Sequence, residues 1–444
     1  SKLQSTMKGD VFNVKDLHLS GAKTNFLGYE KYETSAKILK IIKDGALVKK
    51  ANKGEEVKIV LDKTVFYPES GGQVGDTGEF VKGKNIFQVI DTQKLDKVIV
   101  HKGIAKEGSF KATDELKSCV DIARRLSIAR NHTATHLLQA ALRKVLGAHV
   151  QQQGSLVAED RLRFDFTHFK DIANVELDRI EEEVNKSIIN NEALKTKVLT
   201  LREAKKHGAL AFFGEKYEKK VRMVAIGDFS KELCGGTHMD SVGQIGLFKI
   251  INEGSVASGI RRIEALTGEY AYKRIRGEEN ILNEASSILN VPAEKLTQEL
   301  QKKLAQIKEL DKKLNSQRLG IIENSLDGIV QGAQNISGIK IITKVIENTG
   351  MDLLRKTVDL IKQKTDNAVI ALGSVLGCRA LLVMGVTADL LEKGMDASVL
   401  IRDVAKEIGG SGGGRKDFAQ AGGNKPENLE KAFEELKNII GNLK

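Results

Sequence analysis

Three cysteines in 444 residues, Cys119, Cys234 and Cys378, are too few for a disulfide framework and fit a reducing compartment. In that setting a cysteine beside histidines points to metal or catalysis. Three prolines leave few rigid linkers, so domain limits must be read from shifts in composition. No apolar run approaches the roughly 18 residues that a bilayer requires, which excludes a transmembrane helix and predicts no membrane partner. The opening segment, SKLQSTMKGD, lacks the apolar core of a secretory signal. Together these absences predict a cytoplasmic chain. The first residue, Ser1 and not Met, reads as the start of an excised or processed piece.

What is present is positive charge: 70 Lys and Arg against 59 Asp and Glu, a formal net charge of +11. That balance fits a polyanionic partner such as nucleic acid, and it also fits an ordinary basic surface. At about 150 residues per domain the length predicts roughly three domains. From about Phe26 to Lys111, short β-branched stretches (AKILKII, EEVKIVLD, NIFQVID) alternate with Gly, Asp and Lys turns, as in a small sheet or barrel. From Asp114 to about Leu266, helical periodicity (SIARNHTATHLLQAALRKVL) mixes with strands (RLRFDF, RMVAIGDF), which predicts an α+β domain.

Between Gly277 and Leu319 the composition turns to Gln, Lys, Glu and Leu, with Leu300, Ile307, Leu314 and Ile321 seven residues apart. This predicts a long amphipathic helix, either folded into a hairpin on itself or forming a dimerising coiled coil. After Ile339 the chain reads strand, helix, strand, strand, helix, a Gly-rich segment and a final helix, a small α/β domain. The expected divisions are 1–113, 114–270, 271–335 and 336–444.

The strongest chemical signal is Asn131-His132-Thr133-Ala134-Thr135-His136, whose two histidines stand four apart and share one helical face. About a hundred residues later comes Cys234-Gly235-Gly236-Thr237-His238, where two glycines permit a tight curl that turns a thiolate and an imidazole to one point. Three histidines and a cysteine form a four-coordinate nitrogen and sulfur set that suits zinc, one per chain, better than magnesium or calcium. A pair of unrelated surface histidines beside a buried thiol is the plain alternative. Four protein ligands make a closed structural site, whereas catalytic zinc keeps a position for water or substrate, and the spacing does not choose between them.

Three further segments are polar and rich in glycine. Phe66-Tyr67-Pro68-Glu69-Ser70-Gly71-Gly72-Gln73-Val74-Gly75-Asp76 reads as a tight hairpin needing positive φ, or as a loop presenting backbone amides to a ligand. Gln151-Gln152-Gln153-Gly154-Ser155 reads as a polar connection from helix to strand. Gly409-Gly410-Ser411-Gly412-Gly413-Gly414-Arg415-Lys416 reads as a phosphate-contacting loop, with open backbone N–H groups and two cations, or else as a flexible linker. It has neither the spacing of a P-loop nor the preceding strand of a dinucleotide fingerprint.

In order along the chain, FYPESGGQVGD, HTATH, QQQGS and CGGTH resemble the editing domain of alanyl-tRNA synthetases and of their free-standing relatives. GGSGGGRKDFAQAGG resembles the C-terminal domain of the same synthetases. The resemblance implies an α+β multidomain fold: a β-barrel plus an α+β zinc editing domain, a long helical connector, and a small C-terminal α/β globular domain. It implies zinc ligands His132, His136, Cys234 and His238, and an amino-acid pocket lined by Thr135, Gln152 and Ser155. It also implies tRNA contacts at Gly410, Gly413, Arg415 and Lys416, with a homodimer formed through the connector or C-terminal region. The implied activity is hydrolysis of seryl- or glycyl-tRNA specific for alanine, without the ATP-dependent aminoacylation part, which nothing here matches. A non-enzymatic tRNA-binding module with a structural zinc is the competing reading. A phosphodiesterase, suggested by the C-terminal likeness, lacks the Asp/His cluster of two-metal chemistry.

Overall fold

A computed structural model describes residues 23–210 and 219–442; the opening segment read above for a signal lies outside them. The chain divides into two compact units, Ser1–Leu282 and Asn283–Lys444.

In the first unit, six antiparallel strands close into a barrel in the order Glu33–Lys43, Glu56–Leu61, Val98–Glu107, Asn85–Leu95, Gly78–Lys82 and Glu115–Val120. The last strand pairs with both Gly78–Lys82 and Glu33–Lys43, which closes the barrel, and a short seventh strand, Ala46–Val48, extends the end of Glu33–Lys43. The barrel therefore runs to Val120, beyond the division expected at 113, because the last strand is needed for closure. Ile38, Ile59, Phe80, Phe87, Val89 and Phe110 fill its interior. A register shift between Ile38 and Lys40 supplies the bend that closure requires.

Helix α1, Ile122–Leu146, follows at once. Its first turn is capped by Asp121, whose carboxylate accepts from the Arg124 N–H. Ala134, Leu137, Leu138, Ala141 and Leu142 recur at helical spacing and pack on Phe164, Phe166 and Ile263 of a four-stranded antiparallel sheet. Each such leucine contributes about 1.5–3 kcal/mol by burial. Helix α2, Asn174–Asn190, covers the same core with Ile180, Val184 and Ile188. A three-stranded sheet, Leu194–Thr200, Lys220–Ile226 and Ser230–Leu233, ends directly at Cys234. Core packing thus brings the end of that sheet to the middle of α1.

The second unit contains helix α3, Leu296–Gln331, 36 residues long. Leu300, Leu304, Ile307, Leu310, Leu314 and Ile321 along it are exposed, so the expected heptad positions are not packed into a hairpin. Its C-terminal turns behave differently: Ile322 and Leu326 are buried against Leu354, Val358 and Ile361 of helix α4, Met351–Lys364. That part of the expected connector belongs to the C-terminal core.

The core is a six-stranded sheet in the order Gln334–Ile336, Ile339–Val345, Ala368–Leu376, Arg379–Val386, Phe418–Gly423, Gly410–Gly414. One face is covered by α4, and the other by helices Ala397–Glu407 and Leu429–Gly441. The Gly-rich segment is therefore an edge strand and not a loop. Gly410 to Gly414 pair with Gly423 back to Ala419, and ladder bonds supply the order that the side chains do not. Among the described residues no helix is long and apolar enough to cross a membrane.

Candidate metal centre

His132 and His136 stand one turn apart on α1, their rings nearly parallel with centroids 5.5 Å apart. Both are buried, while Cys234 and His238 are half-buried on the loop that follows the three-stranded sheet. One donor atom from each of the four lies within 4.8 Å of all the others. His132 Nε2 and His238 Nε2 lie 3.2 and 3.3 Å from Cys234 Sγ. A tetrahedral ion with bonds of about 2.0 Å to nitrogen and 2.3 Å to sulfur sets that edge at roughly 3.5 Å. His136 Nε2 is buried without a hydrogen-bond partner, an orphan that an ion would satisfy. Burial pushes the Cys234 thiol up, but the three imidazoles outweigh it and hold the group well below the usual thiol range, favouring the thiolate that binds metals. The four residues thus fit a metal ion.

The surroundings orient these donors. His136 Nδ1 is 2.7 Å from the buried Glu232 carboxylate, which directs Nε2 to the centre. His132 Nδ1 is 2.7 Å from Gln73 Oε1. The Arg222 guanidinium donates to the carbonyls of Cys234 and Gly236 and lies over the Tyr29 ring at 4.5 Å, while the Tyr29 hydroxyl donates to Gly235 O. Glu232, Arg222 and Tyr29 had no signal in the sequence, and Gln73 stood in a noted motif without a role.

Neither Gly235 nor Gly236 uses a positive φ, so the curl is not a left-handed turn. What Gly236 provides is space: a Cβ there would stand 2.0 Å from His132 Cε1. Gly235 has open space on that side.

The segment Tyr67–Asp76 projects from the barrel and docks on this region. Its Gly72, at φ +81°, lies so close to Ser155 that a Cβ would come within 2.2 Å of the Ser155 hydroxyl. Its base is fixed by Asp76, which takes two 2.9 Å bonds from Arg125 Nε, in a pair that is almost wholly buried. Arg125 also donates to the carbonyls of Gly28 and Val65, so one side chain joins α1 to three barrel segments.

Gln152 begins the strand Gln152–Val157, and its Nε2 donates to Ser155 Oγ at 3.1 Å. The polar segment expected as a connection is a strand with a bulge between Gln152 and Gly154. Thr135 is buried, and its hydroxyl donates to Asn131 O, one turn back. In the second unit, Gly410 and Gly413 lie in the edge strand, and Arg415 and Lys416 lie at its turn. Arg415 is highly exposed and pairs with the neighbouring Asp417.

Three family profiles match the chain. Residues 1–124 match tRNA synthetases class II (A), residues 221–264 match the threonyl and alanyl tRNA synthetase second additional domain, and residues 338–442 match the DHHA1 domain. An alanine–tRNA ligase of Acetivibrio thermocellus is 42% identical over 441 residues, 99% of this chain and 50% of that protein. This chain belongs to the alanyl-tRNA synthetase family. It spans about half the length of the curated relatives it matches; the ligase of Clostridioides difficile, 42% identical over 422 residues, covers 95% of this chain and is itself covered to 48%. A solved structure of the C-Ala domain from Aquifex aeolicus alanyl-tRNA synthetase aligns with 24% of this chain and 97% of its own, at 32% identity and a TM-score of 0.24.

The class II match narrows one expectation. From its motifs the chain is expected to hold no counterpart of the ATP-dependent class II aminoacylation domain, yet residues 1–124, the barrel included, match the class II (A) tRNA synthetase profile. The second-additional-domain match carries Arg222, Glu232, Cys234 and His238, one half of the donor set and its supports.

Proposed function

We propose that this chain is a zinc-dependent editing hydrolase, cleaving the ester that joins serine or glycine to the terminal ribose of alanine-specific tRNA. The observation that carries this reading is the convergence of His132, His136, Cys234 and His238 within 4.8 Å, with the half-buried Cys234 and His238 on the accessible side. A pocket sized for alanine cannot strongly reject the smaller glycine, and a hydroxyl is hard to exclude, so a second, hydrolytic site is the physical remedy.

When bound, zinc supplies Lewis-acid polarisation of the ester or of a water. The chain's own residues do the rest. Gln152 and Ser155, already linked, orient the aminoacyl group or water. The Thr135 hydroxyl has its hydrogen committed to Asn131 O, so it is left with lone pairs and accepts a bond from a serine hydroxyl. Alanine offers no such donor. In the second unit, Gly410, Gly413, Arg415 and Lys416 contact tRNA phosphate. The exposed row from Leu300 to Ile321 pairs with its counterpart in a second copy.

One observation favours a second reading: four protein donors complete a tetrahedron, as in a closed structural site. The deciding experiment compares deacylation of seryl-tRNA and alanyl-tRNA, both on alanine-specific tRNA, by this chain and by Cys234→Ala. Rapid release of serine but not alanine, abolished in a folded Cys234→Ala, supports editing. No release with tRNA binding intact supports a tRNA-binding module with structural zinc.

A further inference from the structure

We infer that Gln73 is a positioning residue of the metal centre, which selects the nitrogen that His132 presents and ties metal occupancy to docking of the barrel segment Tyr67–Asp76. The inference rests on the metal-binding reading above, but not on hydrolysis.

The Gln73 side chain is fully buried. Its Oε1 lies 2.7 Å from His132 Nδ1 and 2.9 Å from the Thr237 backbone N–H, and its Nε2 lies 2.9 Å from Thr237 Oγ1. A backbone N–H can only donate, so the amide atom facing it must be the oxygen. That fixes the orientation of the carboxamide. The oxygen can only accept, so His132 must carry its hydrogen on Nδ1, which leaves the Nε2 lone pair facing Cys234 Sγ at 3.2 Å. One side chain thereby sets the tautomer of a ligand from the first motif and the position of the loop bearing the second.

Gln73 does not come from either motif. It stands at the tip of a segment that the barrel supplies, held by the mutual backbone bonds of Ser70 and Gln73 and by those of Gly72 and Val74 to Val157. An asparagine would be one methylene too short to reach from that backbone. Whatever free energy the ion adds to the placement of His132 and Thr237 also favours the docked segment, and docking returns the same amount to ion affinity.

The test uses the whole chain with Gln73→Met, Gln73→Glu and Thr237→Val. Zinc affinity is measured by competition with a chromophoric chelator, ligand geometry by the visible bands of the cobalt(II)-loaded protein, and docking by hydrogen exchange across residues 67–76 with and without zinc. Gln73→Met, similar in length but unable to hydrogen-bond, is expected to weaken zinc binding about 10–100-fold and to shift the cobalt bands. Gln73→Glu keeps the acceptor and stays near wild type in affinity; Thr237→Val keeps the bond from Gln73 to His132, so its cobalt bands stay closer to those of the wild type than the bands of Gln73→Met do. In the wild type, removing zinc speeds exchange in 67–76.

A folded Gln73→Met with wild-type affinity and cobalt bands overturns the inference and leaves the metal reading intact. Exchange in 67–76 that is indifferent to zinc in the wild type overturns the coupling, whether or not the Met variant folds. A wild-type chain that takes up no zinc overturns both.

Discussion

The Glu232 carboxylate stands 2.7 Å from Nδ1 of His136, and both groups are buried. A carboxylate in that place holds the imidazole with Nε2 free and raises its basicity as a ligand. Glu232→Gln preserves shape but removes the charge, and zinc affinity should fall about 10–100-fold with the fold retained. Chelator competition measures this directly, and an unchanged affinity would remove Glu232 from the centre.

The adjacent glycines of the ligand loop should respond in opposite ways. Gly236→Ala drives a methyl into His132 and should reduce zinc affinity on the order of tenfold or more, whereas Gly235→Ala meets open space and should bind zinc as the wild type does. Metal content after dialysis against a fixed free-zinc buffer separates the two variants.

Asp76→Ala leaves the buried Arg125 guanidinium without its counter-charge. The expected loss is about 3–5 kcal/mol in unfolding free energy, read from the urea dependence of the zinc-loaded chain. A loss below about 1 kcal/mol would mean that water reaches the pair and that the join between α1 and the barrel is weaker than its geometry implies.

Acid should weaken the barrel through His101. This imidazole is wholly buried between Thr64 Oγ1 and Ile59 O, and burial holds it down at about 4, against about 6.5 in the unfolded chain. Between those values the unfolded state binds more protons, so stability is fully present above about pH 6.5 and is lost as the pH falls toward 4. The loss approaches about 3 kcal/mol. The difference in unfolding free energy between wild type and His101→Gln, followed from pH 7 to 4, should shift by that amount toward the variant.

Two glycines in the edge strand also separate fold from binding. A Cβ at Gly410 would lie 1.9 Å from Gly422 O, so Gly410→Ala should cost about 1–3 kcal/mol in stability. A Cβ at Gly413 meets nothing within 4 Å, so Gly413→Ala should fold normally, and any loss of tRNA affinity reports on the ligand's approach. Arg415→Gln with Lys416→Gln should flatten the slope of log affinity against log salt by roughly 1 for each cation.

Local spacing made much of the centre readable. His132 and His136 follow from the helical repeat, and Cys234 and His238 from their separation by three small residues, because each pair is set by backbone geometry within one turn or loop. Their supports were not readable in that way. Glu232 lies 96 residues from His136, Gln73 lies 59 from His132, and Tyr29 lies 206 from Gly235, so they meet only when the three-stranded sheet and the barrel side of the unit both pack around the middle of α1. The strand at 410–414 leaves no signal for a different reason: with almost no side chains it shows no alternation, and its order comes from hydrogen bonds to Phe418–Gly423.

The two sheets differ in how they end. The barrel consumes its own last strand, but the C-terminal sheet stops at Gly410–Gly414, a backbone ladder with almost no side chains to keep another chain from aligning beside it. Such an edge is a template for self-association, and the chain places two cations, Arg415 and Lys416, immediately after it. Neutralising them would strip the edge of its guard, and the two charges would then be missed first as a loss of solubility.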